Sequence, residues 1–120
     1  MEKKDLGKIL QKDDKKLPRS RDGVLVLELI KTKKYSIAYG ELLAKEKNKN
    51  HKLASEETYY FLEGEGELII DGKKTKVKKD VIIIIPPNSE QKLVNTTNNP
   101  LKFLMVVSPP YNPDKEKILE

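Results

Sequence analysis

Apolar and polar residues alternate over short stretches along most of the chain, and this period of two predicts β-strands rather than helices. The first two strands are predicted at residues 24–30 and 35–43. Further short strands are predicted downstream, at residues 58–63, 67–70, 75–77, 81–85, 91–95 and 101–107. Roughly eight short strands separated by turns are typical of an all-β sandwich or barrel.

The turn signals fall between these strands. Asp71-Gly72 is the strongest hairpin signal in the chain, because both residue types tolerate the left-handed backbone of a tight two-residue turn. It joins the strands at 67–70 and 75–77 into a predicted hairpin. Just before them, the Gly64-Glu65-Gly66 segment permits a tight turn or a bulge.

The two ends of the chain differ from its middle. Residues 1–22 are polar and charged, which predicts an N-terminal arm with at most one short helical turn around residues 6–10. Residues 23–120 are predicted to form a single β-domain with a proline-rich C-terminal tail. We expect Tyr111 in that tail to pack over the barrel or against a partner subunit.

Charge indicates a lysine-rich surface. The 120 residues include 24 Lys+Arg and 19 Asp+Glu, a formal net charge of +5, and Arg19 and Arg21 are the only arginines. Proteins that bind nucleic acids rely on arginine, and here no basic stripe is interleaved with aromatic residues. We therefore expect a solvated lysine face and no nucleic-acid partner. Abundant Lys and Glu with Ile-rich strands are typical of proteins from hot environments.

The first residues lack the apolar core of a secretory signal peptide. The longest apolar run, at residues 81–85, is too short to cross a bilayer. The chain has no cysteine, which fits a reducing compartment. We therefore expect a cytoplasmic protein without a membrane partner.

The chain contains one histidine, His51, and no cysteine. This composition excludes zinc fingers, thiolate clusters and disulfide frameworks, and it excludes an iron site that needs two imidazoles and a carboxylate from one chain. A Ser-His-Asp triad would have to use His51. The candidate chemistry therefore centres on this residue.

The segment from His51 to Asn95 resembles the cupin superfamily. The first cupin motif has two histidines separated by one residue, then a glutamate and a glycine, and His51-Lys52-Leu53, Glu57 and Gly64 occupy those positions. The second motif corresponds to residues 86–95, with Gln91 at its histidine position. The resemblance covers roughly residues 24–113 and implies an all-β fold, the double-stranded β-helix or jelly-roll barrel of cupins.

Cupins that bind a metal ligate it through the histidines and the glutamate of these motifs. The resemblance places His51, Leu53, Glu57 and Gln91 at the four ligand positions. Leu53 cannot ligate, and the neutral Gln91 carbonyl is a weak ligand for a transition metal. The sequence therefore requires no cofactor, and a divalent metal would have only His51, Glu57 and Gln91. Glycines of the motifs are also replaced, at Lys45, Asp80 and Asn88.

Strand alternation predicts which side chains enter the barrel, since residues two apart share a face. The predicted ligand pocket consists of His51, Leu53, Glu57, Tyr59, Phe61 and Gln91. The candidate catalytic residues are His51 and Glu57, which could form a hydrogen-bonded pair, a residual metal site or an acid/base pair. Tyr59 and Phe61 also fit simple barrel packing.

Three functions are compatible with these features. The first is binding of a small polar metabolite, sugar-like or a carboxylate, inside a barrel without the usual metal ligands. The second is a metal-dependent isomerase, epimerase or lyase with the reduced set of ligands. The third is a non-catalytic binding or assembly module. Related single-domain cupins usually pair, and we therefore expect a homodimer.

Overall fold

The computed structural model describes residues 1–11 and 16–120, and those residues form mainly β-strands. A short helix, α1 (Leu6–Leu10), precedes the strands, and a 3₁₀ turn (Pro113–Lys115) precedes the last of them. The strands are β1 (Leu25–Lys31), β2 (Ser36–Leu42), β3 (His51–Leu53), β4 (Glu56–Glu63), β5 (Glu65–Ile70), β6 (Lys73–Lys78), β7 (Ile82–Ile85), β8 (Glu90–Val94), β9 (Leu101–Ser108) and β10 (Glu116–Ile118).

The strands form two five-stranded antiparallel sheets. The first, sheet A, has the order β1-β2-β9-β4-β7, and the second, sheet B, has the order β10-β3-β8-β5-β6. Neighbouring strands within each sheet are mostly distant in sequence, which is the crossover pattern of a jelly roll. The predicted all-β jelly-roll fold is confirmed.

The core between the sheets explains which residues enter the barrel. Tyr59 and Phe61 of β4 pack with Phe103 of β9, with ring centroids 5.3 to 5.8 Å apart. Leu68 and Leu93 reach the same cluster from sheet B. Burying each such side chain stabilises the fold by roughly 1.5–3 kcal/mol, so the inward face of β4 is strongly specified. Alternation then forces Glu57, two residues before Tyr59, into the barrel as well.

The predicted Asp71-Gly72 hairpin is confirmed, since β5 and β6 pair directly across it. Asp71 and Gly72 have φ values of 49° and 82°, as a tight hairpin turn requires. The three residues that replace motif glycines also have left-handed backbones, with φ of 62° at Lys45, 72° at Asp80 and 65° at Asn88. Each of these three residues therefore adopts a conformation that favours glycine, at a cost on the order of 1 kcal/mol.

The end of the predicted arm lies against the barrel. Its helical turn coincides with α1, and residues 12–15 of the arm lie outside the described residues. The Ser20 amide donates to the Val24 carbonyl at 2.7 Å, and the Lys49 amide donates to the Asp22 carbonyl at 2.6 Å. These backbone bonds bring Asp22 to the start of β3. In the described ranges, no helix has the length and apolarity needed to cross a bilayer.

Candidate functional site

A cavity of about 90 Å³ opens where β3, β10 and the end of the arm meet. It has room for a small ligand or a few water molecules. One part of its wall is apolar and consists of Val24, Val26, Ala38, Leu53, Met105 and Val107. The other part is polar and consists of Ser20, Asp22, Glu28, Ser36, His51, Glu57, Tyr111 and Glu116. The described lining includes four acidic residues and no lysine or arginine.

His51 is the first residue of β3, and its side chain is only 3% exposed. Its Nδ1 lies 2.8 Å from the Lys49 carbonyl oxygen. A carbonyl only accepts hydrogen bonds, so Nδ1 carries a proton and Nε2 is the ring nitrogen that faces the cavity. Nε2 lies 3.4 Å from Asp22 Oδ2. The Lys49 carbonyl therefore directs Nε2 of the ring towards the acidic part of the cavity.

The Asp22 carboxylate is buried and held from three sides. Its Oδ1 accepts hydrogen bonds from the Ser20 hydroxyl and, at 3.2 Å, from the Val24 amide. Its Oδ2 lies 3.4 Å from the Asn48 side-chain nitrogen. Asn48 in turn is fixed by the Leu93 amide, which donates to its side-chain oxygen at 2.7 Å. These contacts fix the orientation of Asp22 before any ligand arrives.

Glu57 belongs to a buried hydrogen-bond chain with two polar neighbours. Gln91 Nε2 donates to Glu57 Oε1 at 2.9 Å. The Tyr59 hydroxyl in turn donates to Gln91 Oε1 over 3.4 Å. Burial raises the pKa of Glu57 to about 7, although the bond from Gln91 and the nearby His51 favour the charged form. Glu57 can therefore gain or lose a proton near neutral pH.

Glu116 is the first residue of β10, which pairs with β3 and brings the C-terminal tail to the cavity. The Tyr111 hydroxyl donates to Glu116 Oε1 at 2.9 Å, and the Tyr111 amide donates to Ser36 Oγ at 2.9 Å. Burial and the charge of Asp22 raise the pKa of Glu116, while the hydrogen bond from Tyr111 lowers it. The tail thus packs over the barrel and supplies two polar groups to its cavity.

The structure brings only part of the predicted pocket together. His51, Leu53 and Glu57 line the cavity. Gln91 lies behind Glu57 with Tyr59, and Phe61 belongs to the apolar core.

These positions do not suit a metal bound in the usual cupin manner. Leu53 has no ligand atom, and the nitrogen end of Gln91 faces the carboxylate of Glu57. The oxygen of Gln91 is engaged by Tyr59. Within the predicted set of His51, Glu57 and Gln91, the last two residues are hydrogen-bonded to each other.

Sequence reasoning missed Asp22 and Glu116, and it assigned Tyr111 to packing alone. Asp22 belongs to the predicted arm, and Glu116 lies beyond the segment that resembles cupins. Their only sequence signal is that each is an acidic residue next to a predicted turn or proline-rich stretch, and such residues are common on surfaces.

Comparison with known proteins agrees with this fold and places the chain in a family. Residues 39–107 match the cupin domain family. An uncharacterized protein of Methanocaldococcus jannaschii is 39% identical over 107 residues, which are 84% of this chain and 86% of the relative. The chain therefore belongs to the cupin superfamily.

Two solved structures illustrate the similarity of fold. The protein TT1209 of Thermus thermophilus superposes with a TM-score of 0.74 at 20% identity, and the match covers 92% of this chain and 100% of that chain. A predicted oxalate decarboxylase from Thermotoga maritima superposes with a TM-score of 0.65 at 26% identity, over 71% of this chain and 79% of that one. The jelly-roll barrel is thus shared across considerable sequence divergence.

Proposed function

We propose that the cavity binds a small, uncharged polar molecule rich in hydroxyl groups, such as a short sugar or polyol. The observation that carries this proposal is the lining, which combines acidic residues with an apolar wall and contains no lysine or arginine among its described members. Carboxylates accept hydrogen bonds from hydroxyls, and the apolar wall can pack against a carbon skeleton. A free carboxylate ligand would be repelled by Asp22 and Glu116, so the sugar-like alternative is favoured.

Glu57 is the proposed proton-transfer group. It lines the cavity, its pKa of about 7 suits proton exchange at neutral pH, and Gln91 holds one of its oxygens in place. His51 is proposed to bind the ligand beside it. Acid/base chemistry of an isomerase or epimerase type uses a positioned group of this kind. A non-catalytic binding module would use the same cavity without proton transfer.

The binding proposal is tested by thermal shift and calorimetry in EDTA, with matched pairs of ligands. Glyceraldehyde, erythrose and erythritol are expected to raise the melting temperature, whereas glyceric and erythronic acids are not. His51→Ala is expected to abolish binding and to lower the melting temperature of the free protein by only a few degrees. Lys52→Ala, the neighbour on the opposite face of β3, is the control that retains binding. Stronger binding of the acids, or unchanged binding by His51→Ala, would contradict the proposal.

Transfer of solvent deuterium into a bound aldose distinguishes catalysis from binding. We expect wild-type protein in D₂O to catalyse this exchange and Glu57→Gln to lose it by about 100-fold or more, the low end of the range for a general acid or base. Binding without exchange in the wild type would support the non-catalytic module instead.

A homodimer is the second part of the proposal, and the outer face of sheet A supports it. Ile82 and Ile84 on the edge strand β7 are each 60% exposed. Tyr60 lies directly opposite Ile82, and Val106 lies across β4 from Ile84, so these exposed side chains form one apolar patch over three strands. A second copy packed face to face across a two-fold axis would cover this patch on both subunits at once.

The dimer is expected to dissociate when charge is placed on the patch. The Ile82→Lys/Ile84→Lys variant should elute with a light-scattering mass of 13.8 kDa, and the wild type with twice that mass. Leu43→Lys, the same kind of change at an exposed leucine outside the patch, should remain dimeric. A monomeric wild type, or dissociation by Leu43→Lys as well, would overturn this interface.

A further inference from the structure

Three side chains that can ligate a metal converge in the cavity at positions other than those of the cupin motifs. Asp22 from the end of the arm, His51 from β3 and Glu116 from β10 each direct one ligand-type atom so that all three atoms lie within 4.8 Å of one another. Only His51 belongs to a motif position. The other two are acidic residues, one from the end of the arm and one from β10.

The distance between His51 and Asp22 is compatible with two ligands of one metal. Nε2 and Oδ2 are 3.4 Å apart, at the long end of the range for an N–H···O bond. Two ligand atoms at about 2.1 Å from a tetrahedral metal are separated by about 3.4 Å. The Lys49 carbonyl engages Nδ1, so Nε2 is the ring nitrogen that faces Asp22 Oδ2 and is placed to ligate a metal beside it.

Each of the three groups is oriented by a partner outside the site, as metal ligands in proteins usually are. The Lys49 carbonyl accepts from His51 Nδ1. Ser20 and the Val24 amide hold one oxygen of Asp22, and Tyr111 donates to one oxygen of Glu116. The oxygen of Asp22 that these two groups do not hold is the one that faces His51 Nε2 and Asn48. Ligands that are already oriented lower the entropic cost of forming the site.

We propose that Asp22, His51 and Glu116 bind one divalent first-row transition-metal ion, at a centre displaced from the cupin motif positions. One imidazole and two carboxylates suit Mn²⁺, Fe²⁺ or Zn²⁺, and the remaining coordination positions face the cavity. The two carboxylates and the neutral imidazole would balance the charge of such an ion. The site shares the cavity with the proposed sugar-like ligand, but it does not depend on that ligand.

Metal binding without any organic ligand is therefore the experiment. Full-length protein is stripped with EDTA, exchanged into chelator-free buffer and titrated calorimetrically with ZnCl₂ or MnCl₂. We expect one equivalent to bind and to raise the melting temperature, and we expect Asp22→Asn and Glu116→Gln each to weaken binding by at least about tenfold. Both variants keep the size of the side chain and an oxygen that can accept the existing hydrogen bonds. Asp114→Asn, an exposed neighbour in the tail, is the matched control with unchanged affinity.

Glu57→Gln distinguishes the displaced centre from the motif positions. The proposal expects it to weaken metal binding by less than threefold, whereas a centre at the motif positions would lose its glutamate ligand. Less than a tenth of an equivalent bound by the wild type, wild-type affinity in both Asp22→Asn and Glu116→Gln, or a loss of binding in Glu57→Gln would each overturn it. None of these results bears on sugar binding in EDTA, so the two proposals can fail separately.

Discussion

Replacing Glu57 by Gln is expected to stabilise the protein at pH 8 and to leave its stability near pH 4.5 almost unchanged. In the folded protein the Glu57 carboxyl has a pKa of about 7, against an ordinary value of 4.5. As the pH rises from 4.5 to 7, the unfolded chain loses this proton while the folded protein retains it. The stability of the wild type therefore falls through this window and levels off above it.

The expected size follows from the same two values. A difference of 2.5 pKa units corresponds to about 3 kcal/mol, an upper limit that the glutamine variant would recover above pH 7. Glutamine keeps the hydrogen bond, because its oxygen can still accept from Gln91 Nε2. Urea unfolding in EDTA, repeated between pH 4.5 and 8.5, measures the effect.

Other titratable groups face Glu57 and have to be separated from it. His51 favours the charged form of Glu57, while Asp22 and Glu116 disfavour it. The pKa of Glu116 is itself raised by burial, as that of Glu57 is. These groups remain in the variant, so the difference between the two stability profiles isolates Glu57 except for its coupling to them. Glu56→Gln, the exposed preceding residue, is expected to give a profile parallel to the wild type. An unchanged slope in Glu57→Gln would show that the carboxyl is ionised in the folded state at all these pH values.

The features that could be predicted from sequence are those that depend on local periodicity. A strand alternates its faces every residue, so the pattern around Glu57, Tyr59 and Phe61 was sufficient to predict that all three point inward. The same reasoning predicted that His51 and Leu53 are both buried. The hairpin at Asp71-Gly72 followed from the backbone preference of two adjacent residues.

The convergence of Asp22 and Glu116 on His51 could not be predicted, because it depends on contacts between segments that are distant in the sequence. Asp22 reaches His51 through backbone bonds between the arm and the loop before β3, and Glu116 reaches it through pairing of β10 with β3. Neither pairing leaves a periodic signal in the sequence. The orientation of the Gln91 side chain could not be predicted either, because it depends on which buried groups lie beside it. Its amide donates to Glu57 and accepts from Tyr59.

Introducing histidine at Leu53 and Gln91 together is expected to create a tight metal site at the cupin motif positions. His51 and Gln91 are directly paired across β3 and β8, and Leu53 follows on the same face of β3. Removing the Gln91 amide also releases the Glu57 carboxylate for ligation. Three imidazoles and one carboxylate form a complete donor set for Zn²⁺ or Mn²⁺. We expect the Leu53→His/Gln91→His variant to bind Zn²⁺ at least about 100-fold more tightly than its parent by competitive titration.

The comparison is made in a Glu116→Gln background, so that a displaced centre with Asp22 contributes little to the measured affinity. Without metal, burying two additional imidazoles should lower stability by a few kcal/mol, because an unpaired polar group is costly in a barrel interior. Metal should restore that loss, since an ion that binds only the folded state stabilises it in proportion to the logarithm of its concentration over Kd. Lys52→His/Lys92→His also adds two histidines but shifts both by one residue, which turns them to the outer face. A gain in this control equal to that of the inward pair, or no gain in either, would show that β3 and β8 do not direct these positions at a common centre with Glu57.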